Sequence, residues 1–293
     1  MASNLAPGTL AQFFYWINER HTIYLRRQAG EPKPWTENSV LRDYKFTNPF
    51  RQNDRGTVWL TENFVEPWKR GEMHPAGLDL LAANICWYRM FNWTGTGELL
   101  GWRNSWDQYL MTGILTQALA SGKQVFTGAH IVYSPPGKPK VDAIVEVCSN
   151  LWTLCVDGPL VEMARGRRSL EEVYDLLRTV HCVGGFMAYE MVTDFRHTPL
   201  LSDAVDIYTW ANPGPGAKRG LQRLGLPHTP DVKAIESMRY LLGRSSQFIE
   251  TFRQPTQPVL EMRDIEHSLC EFDKYMRVLS GEGQPRSKFN GAF

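Results

Sequence analysis

The spacing of hydrophobic side chains along the chain predicts a succession of helices. Phe13, Phe14, Ile17 and Tyr24 recur at helical intervals, as the buried face of a first helix over residues 10–28 would. We expect further helices over residues 36–44 with Thr36 as the N-cap, 53–63, 77–93 with Thr94–Gly97 ending it, 105–121, 140–156, 169–180, 231–252 and 259–279.

Residues 124–139 interrupt the helical pattern. Gln124–Thr127 and Ile131–Tyr133 have the β-branched and aromatic content of strands, and a Pro-Pro-Gly turn follows them. The sequence therefore predicts a mostly α fold that leaves room for one small β-hairpin.

A tight glycine turn between two predicted helices is the most informative local pattern. Val183-Gly184-Gly185 precedes an apolar helix that contains the small residue Ala188, which would let the two helices approach closely. This pattern, within about residues 169–206, is typical of a helix-hairpin-helix, whose exposed amides at Gly184 and Gly185 would face a DNA phosphate. An ordinary helical hairpin is the alternative.

Two acids follow the glycine turn, Asp194 on the second helix and Asp206 after a loop. In helix-hairpin-helix DNA glycosylases a catalytic aspartate follows the hairpin by about the distance seen for Asp206. Where bifunctional glycosylases carry a lysine nucleophile this chain has Phe186, which excludes Schiff-base lyase chemistry there. We therefore expect residues 1–293 to form a single glycosylase-like helical unit, or two helical lobes.

Composition and charge exclude several classes of protein. The 293 residues carry 32 basic and 31 acidic side chains and are 43% hydrophobic, so the chain is neither disordered nor a tail-driven nucleic-acid binder. No stretch is long and apolar enough to span a bilayer, and no signal-peptide pattern is present. Five cysteines without a CxxC pair argue against a zinc knuckle or a disulfide framework and favour a reducing, cytoplasmic location.

Three stretches carry a family resemblance: residues 34–55, residues 185–194 with 211–217, and residues 262–274. Together they resemble the α-glutamyl/putrescinyl thymine pyrophosphorylases of bacteriophages, also described as amino-acid:DNA transferases. The same helical module is fused to the 5-hydroxymethyluracil DNA kinases of those phages. The resemblance covers about residues 10–280.

The resemblance implies an enzyme that acts on double-stranded DNA in the cytoplasm of an infected bacterium. Its substrate would be 5-(pyrophosphoryloxymethyl)uracil, which the kinase makes, and an amine such as glycine, glutamate or putrescine would displace the pyrophosphate. The base would leave the stack, held by an aromatic ring such as Trp35 or Trp210. The chain itself has no GxxxxGK[ST] loop, so kinase chemistry is not expected of it.

The resemblance also directs attention to the last predicted helix, where acids, a thiol and bases border the apolar face formed by Met262, Ile265, Leu269, Phe272, Met276 and Leu279. We expect Glu266 or Asp273 to act as base or amine holder and Cys270 to attack the ring, and Lys274 joins this catalytic set with Asp194 and Asp206. A solvated helix face with one buried cysteine is the alternative.

Candidate substrate binders are cations, polar residues and one aromatic residue that could hold the pyrophosphate, the DNA backbone or the base. They are Trp35, Asn48, Arg51, Asp54, Arg55, Lys218, Arg219, Arg263 and His267, with Arg167 and Arg168 as further DNA contacts beside Gly184 and Gly185. The small residues of the loop at 212–220 would suit close approach to a phosphate, although a rigid turn is as good an interpretation.

The sequence requires no cofactor, and only Asp54 or Asp194 leaves room for a divalent metal, without a ligand spacing to support it. Two other functions stay open. One is a monofunctional DNA glycosylase that uses Asp206 to activate water, and the other is a non-catalytic DNA-binding partner of a base kinase.

Overall fold

The computed structural model describes residues 8–73, 76–129, 132–134, 136–167, 169–248, 259–283 and 288–289, with the backbone alone for 164–167. This part of the chain is mostly helical, which confirms the predicted fold class. Its only β-pairing is an isolated antiparallel bridge between Tyr44 and Lys288. None of the described helices combines the length and apolar character needed to cross a membrane.

The helices follow one another closely along the chain. They are α1 (Leu10–Gln28), α2 (Ser39–Asp43), α3 (Arg55–Leu60), α4 (Glu66–Lys69), α5 (Leu78–Phe91), α6 (Thr94–Leu100), α7 (Gln108–Ala120), α8 (Lys140–Val156), α9 (Leu160–Arg167), α10 (Leu170–Arg178), α11 (Gly185–Phe195), α12 (Pro215–Arg223), α13 (Asp231–Phe248) and α14 (Met262–Leu279). A 3-10 turn at Arg51–Asn53 precedes α3, and a π-helical turn at Thr61–Val65 joins α3 to α4.

The chain divides into two compact units. Unit 1 comprises Met1–Asp54 and Ile207–Phe293, and unit 2 comprises Arg55–Asp206. Unit 1 therefore contains α1, α2 and α12–α14, whereas unit 2 contains α3–α11.

The core of unit 1 forms around α14. Its apolar face is buried at Met262, Ile265, Leu269, Phe272 and Met276, as predicted from their spacing. The rings of Phe13 on α1 and Phe272 meet edge to face, with centroids 5.4 Å apart. Leu279 was wrongly placed on this face, because it is the last residue of the helix and lies exposed.

Two glycines allow α12 to lie unusually close to α14. A Cβ atom at Gly220 would overlap the carbonyl oxygen of Leu269, and one at Gly216 would overlap Sγ of Cys270. Any larger residue at position 220 would meet backbone, which has little freedom to move aside. The short distance between these two helices therefore requires glycine, which has no side chain, at positions 216 and 220.

Unit 2 is organised by α5, which is buried on every side from Leu81 to Phe91. An almost wholly apolar helix of this kind belongs in the middle of a bundle, and here α8 and α11 pack against it. The ring of Trp59 stacks on Tyr88 of α5, with centroids 4.8 Å apart and an interplanar angle of 17°.

The predicted β-hairpin was wrong in the described part of residues 124–139. The amide of Thr127 donates to the carbonyl of Phe91 (2.9 Å), and the carbonyl of Val125 accepts from Oγ1 of Thr96 (2.6 Å). The ring of Phe126 stacks on Phe91. Backbone groups that a partner strand would need are thus bonded to α5 and α6. Ile131, part of the predicted second strand, lies outside the described residues.

Local capping chemistry shifted two predicted helix boundaries. Thr36 is not the N-cap of α2, because its hydroxyl accepts from the amide of Asn38 (3.0 Å), while the Asn38 side chain accepts from Leu41 (3.1 Å) and caps the helix. Thr94–Gly97 begins α6 instead of ending a helix, since Asn92, in the left-handed conformation, has already ended α5.

The close approach of α12 and α14 predicts opposite effects for two helical Gly→Ala substitutions. Gly220→Ala should lower the free energy of unfolding by about 1–3 kcal/mol through overlap with Leu269. Gly113→Ala on the exposed side of α7, where a Cβ meets no atom within 4 Å, should raise it by roughly 0.5–1 kcal/mol. Urea denaturation of both variants checks this, and equal effects would contradict a packing role for Gly220.

Candidate functional site

The N-terminal end of α12 lies against a carboxylate of α14. Gly214 is the N-cap and Pro215 the first residue of the helix, and Oε1 of Glu266 accepts a hydrogen bond from the amide of Gly214 (3.3 Å). The positive end of a helix dipole stabilises an anion at this position. The stretch expected to be a phosphate-binding loop at 212–220 is therefore largely the first turns of a helix, and a protein carboxylate occupies its start.

Cys270 lies one turn beyond Glu266 on α14. Its side chain reaches solvent, yet the surrounding protein raises the pKa of the thiol to about 12, helped by the carboxylates of Glu266 and Glu271 and opposed by nearby Arg219. A thiol with such a pKa is protonated at neutral pH, and the thiolate is the nucleophile. The environment thus disfavours the expected attack by Cys270 on a base.

Asp273 is surrounded by guanidinium groups. Its carboxylate accepts from Nε of Arg219 (2.9 Å) and Nε of Arg223 (2.7 Å), and Nε of Arg277 lies 3.5 Å away. The Asp273 side chain is almost fully buried, whereas the Arg219 side chain is 53% exposed. Asp273 therefore fixes cations in place, while the geometry gives it little access to an amine. Lys218, beside Arg219, pairs with Asp231 on α13 (2.6 Å).

The segment 47–54 is held on α14 by an arginine–histidine contact. Nη1 of Arg51 lies 2.9 Å from Nδ1 of His267 and 3.6 Å from the Asp54 carboxylate, and the Thr47 hydroxyl contacts Nε2 of the same imidazole. Burial lowers the pKa of His267 well below its usual value, and the charges of Arg51 and Lys274 act in the same direction. Because arginine only donates, we infer a neutral His267 that accepts at Nδ1 and carries its proton on Nε2.

Asp264 is a buried acid that the sequence reasoning missed. Its Oδ1 accepts from the amide of Arg51 (3.2 Å) and its Oδ2 from the amide of Glu261 (2.9 Å), so it closes a capping box at the start of α14 and anchors the segment 47–54. Burial raises the pKa of Asp264 to about 6. The pattern Glu261-x-x-Asp264 before an apolar helix was the available signal.

The other polar residues of this region brace the same segment. The amide of Asn48 donates to Oδ1 of Asp54 (3.1 Å), and the amide of Thr47 donates to Glu271 (3.0 Å). Lys274 pairs with Glu271 (2.7 Å). The structure therefore brings Asn48, Arg51, Asp54, His267 and Lys274 together, as ties between a connecting segment and α14.

Two further candidate binders have partners within their own neighbourhoods. The indole of Trp35 donates to the carbonyl of Glu31 (2.7 Å), and Lys33 lies 5.1 Å from the centre of the ring. Arg263 is buried and pairs with Glu261 (2.8 Å). Both side chains therefore have partners within the protein.

Asp194 belongs to a buried ion-pair network in unit 2. Nε of Arg89 donates to Oδ2 of Asp194 (2.6 Å), and Nη2 donates to its Oδ1. Nη1 of the same arginine reaches Glu190 (3.3 Å) and Asn92 (3.0 Å). All four residues except Asn92 are buried, so Asp194 lies away from solvent. The sequence reasoning missed Arg89, although its place in an apolar helix and the Glu190/Asp194 spacing on α11 were visible.

Asp206 caps a helix. Its carboxylate accepts from Oγ of Ser169 (2.9 Å), the amide of Leu170 (2.8 Å) and the amide of Glu171 (3.1 Å), all at the first turn of α10. Three donors on the two oxygens leave this carboxylate poorly placed to activate water. Arg55, at the start of unit 2, lies over the ring of Trp93 (5.9 Å).

The glycine turn forms a helical hairpin in unit 2. The amide of Val183 donates to the carbonyl of Val180 (3.0 Å), and Cys182 adopts φ 66°, a left-handed conformation that glycine takes more readily. Gly184 is the N-cap of α11, Gly185 begins the helix, and Ala188 is fully buried where α10 and α11 pack.

The basic run before this hairpin is only partly described. Arg167 ends α9, with its side chain outside the described part, and Arg168 lies outside it altogether. Among the described residues no group of three or more His, Cys, Asp or Glu side chains is arranged to hold a metal ion.

Comparison with known proteins places the chain in a family. Residues 8–284 match the family model described as 5-hmdU DNA kinase, helical domain. The chain is similar to the 5-hmdU DNA kinase of Bacillus phage SP10, with 27% identity over 303 residues that cover 92% of this chain and 45% of the relative. It thus spans less than half the length of that curated relative. No solved structure shows a significant match.

Burial of Asp264 predicts a distinctive pH dependence. Because its pKa is raised to about 6 in the folded state, folding favours the protonated acid. Stability from this group is full below pH 4 and falls as the pH rises to about 6, by on the order of 3 kcal/mol. Asp264→Asn should lack this fall, so the stability of the wild type relative to the variant should decrease between pH 4 and about 6, as measured by denaturation from pH 4 to 8. A wild-type stability that rises relative to the variant over that interval would contradict the assignment.

Proposed function

Since this chain belongs to the family of the helical domain of 5-hmdU DNA kinases, we propose that it acts in the modification of thymine in phage DNA. More specifically, it is an amino-acid or polyamine:DNA transferase. Two findings support this. The family match extends over residues 8–284, and the chain contains no GxxxxGK[ST] phosphate loop of its own. A kinase would supply the substrate base, and the host cytoplasm would be the setting.

The proposed reaction replaces an oxygen substituent by nitrogen at the exocyclic carbon of the base. The substrate is 5-(pyrophosphoryloxymethyl)uracil within DNA. A C–N bond forms to the amine, the C–O bond to pyrophosphate breaks, and the amine gives one proton to a base on the protein. Such chemistry requires a cation for the leaving group and an anionic general base for the amine.

The junction of α12 and α14 provides both requirements at one place. Arg219 exposes half of its guanidinium-bearing side chain while Asp273 holds it, so it is suited to bind the leaving pyrophosphate, with Lys218 one residue away. Glu266 lies at the positive end of α12 and is the proposed base and amine holder. The observation that carries this proposal is the packing of α12 on α14, in which Gly214 donates to Glu266, Gly216 lies against Cys270, and Arg219 pairs with Asp273.

Other candidates take supporting positions in this proposal. Cys270 lines the junction without attacking the ring, because its raised thiol pKa disfavours the thiolate. The backbone at Gly184 and Gly185 would contact a DNA phosphate, with Arg167 and Arg168 as further DNA contacts. Since Trp210 is buried, Trp35 is the better of the two tryptophans for stacking on an extruded base.

The decisive measurement is mass spectrometry of digested DNA. DNA that carries the pyrophosphorylated base is incubated with the protein and a mixture of glycine, glutamate and putrescine. We expect a nucleoside whose mass fits one amine in place of pyrophosphate, with one pyrophosphate released per adduct. Failure to form an adduct with any amine would defeat the proposal, whereas abasic sites would indicate a glycosylase and binding without turnover a non-catalytic partner of a kinase.

Glu266→Gln should reduce turnover about 100-fold or more, the usual contribution of a general base. Glutamine keeps an oxygen that accepts the amide of Gly214, so the helix start is preserved while the proton acceptor is lost. Lys233→Gln is a matched control on the same unit, because Lys233 is an exposed residue paired with Glu236 on α13. Unchanged turnover in a folded Glu266→Gln protein would remove Glu266 from the mechanism.

Asp206 distinguishes the glycosylase alternative. Asp206→Ala should lower the free energy of unfolding by about 1–2 kcal/mol, since the amides of Leu170 and Glu171 lose their acceptor at the start of α10. It should leave the adduct yield per folded molecule unchanged. Asp175→Ala is the control for both the stability and the adduct measurement, because Asp175 is an exposed acid on α10. A loss of product at wild-type stability would instead give Asp206 a chemical role.

A further inference from the structure

A groove of about 590 Å³ lies at the turn of the α10–α11 hairpin. Two aromatic side chains border it and face solvent, with Tyr133 65% exposed and Phe186 52% exposed. Phe186 is the second residue of α11, so its ring lies at the N-terminal end of that helix. Large exposed aromatic rings in a concave site are typical of a binding surface.

The groove has a positively charged side chain and no negatively charged one. Arg178 and His181 line it, and no carboxylate is among the side chains that line it. Arg178 also lies over the ring of Tyr174 on its own helix (5.6 Å), which orients its guanidinium. Aromatic faces combined with cations fit the chemistry of nucleic acids, in which each flat base is joined to a phosphate.

Gly184 provides a second observation. A Cβ atom at this position would meet no protein atom within 4 Å, and φ is −77°, a value open to any residue. Neither packing nor backbone conformation therefore requires glycine here. The open space lies in the wall of the groove, where the absence of a side chain lets a ligand approach the backbone.

We propose that this groove binds an unpaired nucleotide of DNA, whose base stacks on Tyr133 and Phe186 while its phosphate lies near Arg178 and Gly184. Paired bases are covered by their neighbours in the stack, so only an unpaired or extruded base can cover these rings. The proposal rests on the proposed function in one respect, that DNA is the polymer. It adds a base-stacking site in unit 2, separate from the chemistry assigned to Glu266 and Arg219.

The test measures fluorescence anisotropy with three unmodified DNAs: a matched duplex, the same duplex with one unpaired thymine, and a single strand. The wild-type protein should bind the duplex with the unpaired thymine about tenfold more tightly than the matched duplex, which is the usual effect of one stacked base. Tyr133→Ala and Phe186→Ala should each remove most of that preference. Tyr109→Ala is the matched control, because Tyr109 is 92% exposed on α7 of the same unit.

Two further variants separate stacking from charge. Arg178→Gln should weaken binding to all three DNAs and reduce the slope of affinity against salt by about one ion, whereas the aromatic variants should leave this slope unchanged. Gly184→Ala should fold normally and weaken binding. Since all these side chains border an open groove, the variants should keep the wild-type melting temperature.

Several results would overturn the proposal. One is equal affinity of the wild type for the matched duplex and the duplex with the unpaired thymine. The others are aromatic variants that bind all three DNAs like the wild type, or that lose affinity equally for all three. Because unmodified thymine is used, the two proposals fail separately. Adduct formation without an unpaired-base preference defeats only the groove, and the preference without adducts defeats only the transferase.

Discussion

The contact between α12 and α14 is the constraint on which the candidate site depends. Without a side chain at Gly220, α12 rests against the backbone of α14 at Leu269. This closeness places the start of α12 on Glu266 and brings Arg219 and Arg223 to Asp273. The missing Cβ atoms at Gly216 and Gly220 therefore help to position both the acid and the cation that the proposed chemistry uses. The cost of glycine within a helix, roughly 1 kcal/mol, is offset by these contacts.

The carboxylates of this protein have different roles because their surroundings differ. Asp194 is bound by a buried guanidinium, Asp206 by amides at a helix start, and Asp273 by several arginines. Each of these acids has its oxygens directed at protein donors, which favours structure over catalysis. Glu266 also accepts an amide and is itself buried, yet it lies at the start of a helix and one turn from the solvent-accessible thiol of Cys270. Position, more than residue type, separates the candidate base from the structural acids.

Hydrophobic spacing predicted most of the helices, because α1, α5, α8 and α14 each bury a face or a whole surface whose period is visible in the sequence. Hydrophobic spacing gave the wrong prediction where hydrogen bonds to other parts of the chain, or the capping preferences of single residues, determine the local structure. Residues 124–129 have the composition of a strand, but their hydrogen bonds go to α5 and α6. The start of α12, rich in glycine and proline, resembles a loop, although proline is favoured in the first turn of a helix. The partners of Asp206 lie 35–37 positions earlier in the chain, beyond the reach of any local pattern.

A net charge of +1 does not show how the charges are distributed over the surface. Many cations are neutralised locally, as Arg89 is by Asp194 and Arg223 by Asp273 and Glu282. Such pairs add equally to both sides of the charge count and contribute nothing to the external field. The groove at the hairpin differs, since Arg178 lines it and no acid is among its lining side chains. In the proposed binding of an unpaired nucleotide, attraction depends on one arginine beside exposed rings, so binding should be modest in salt dependence and selective for unpaired bases.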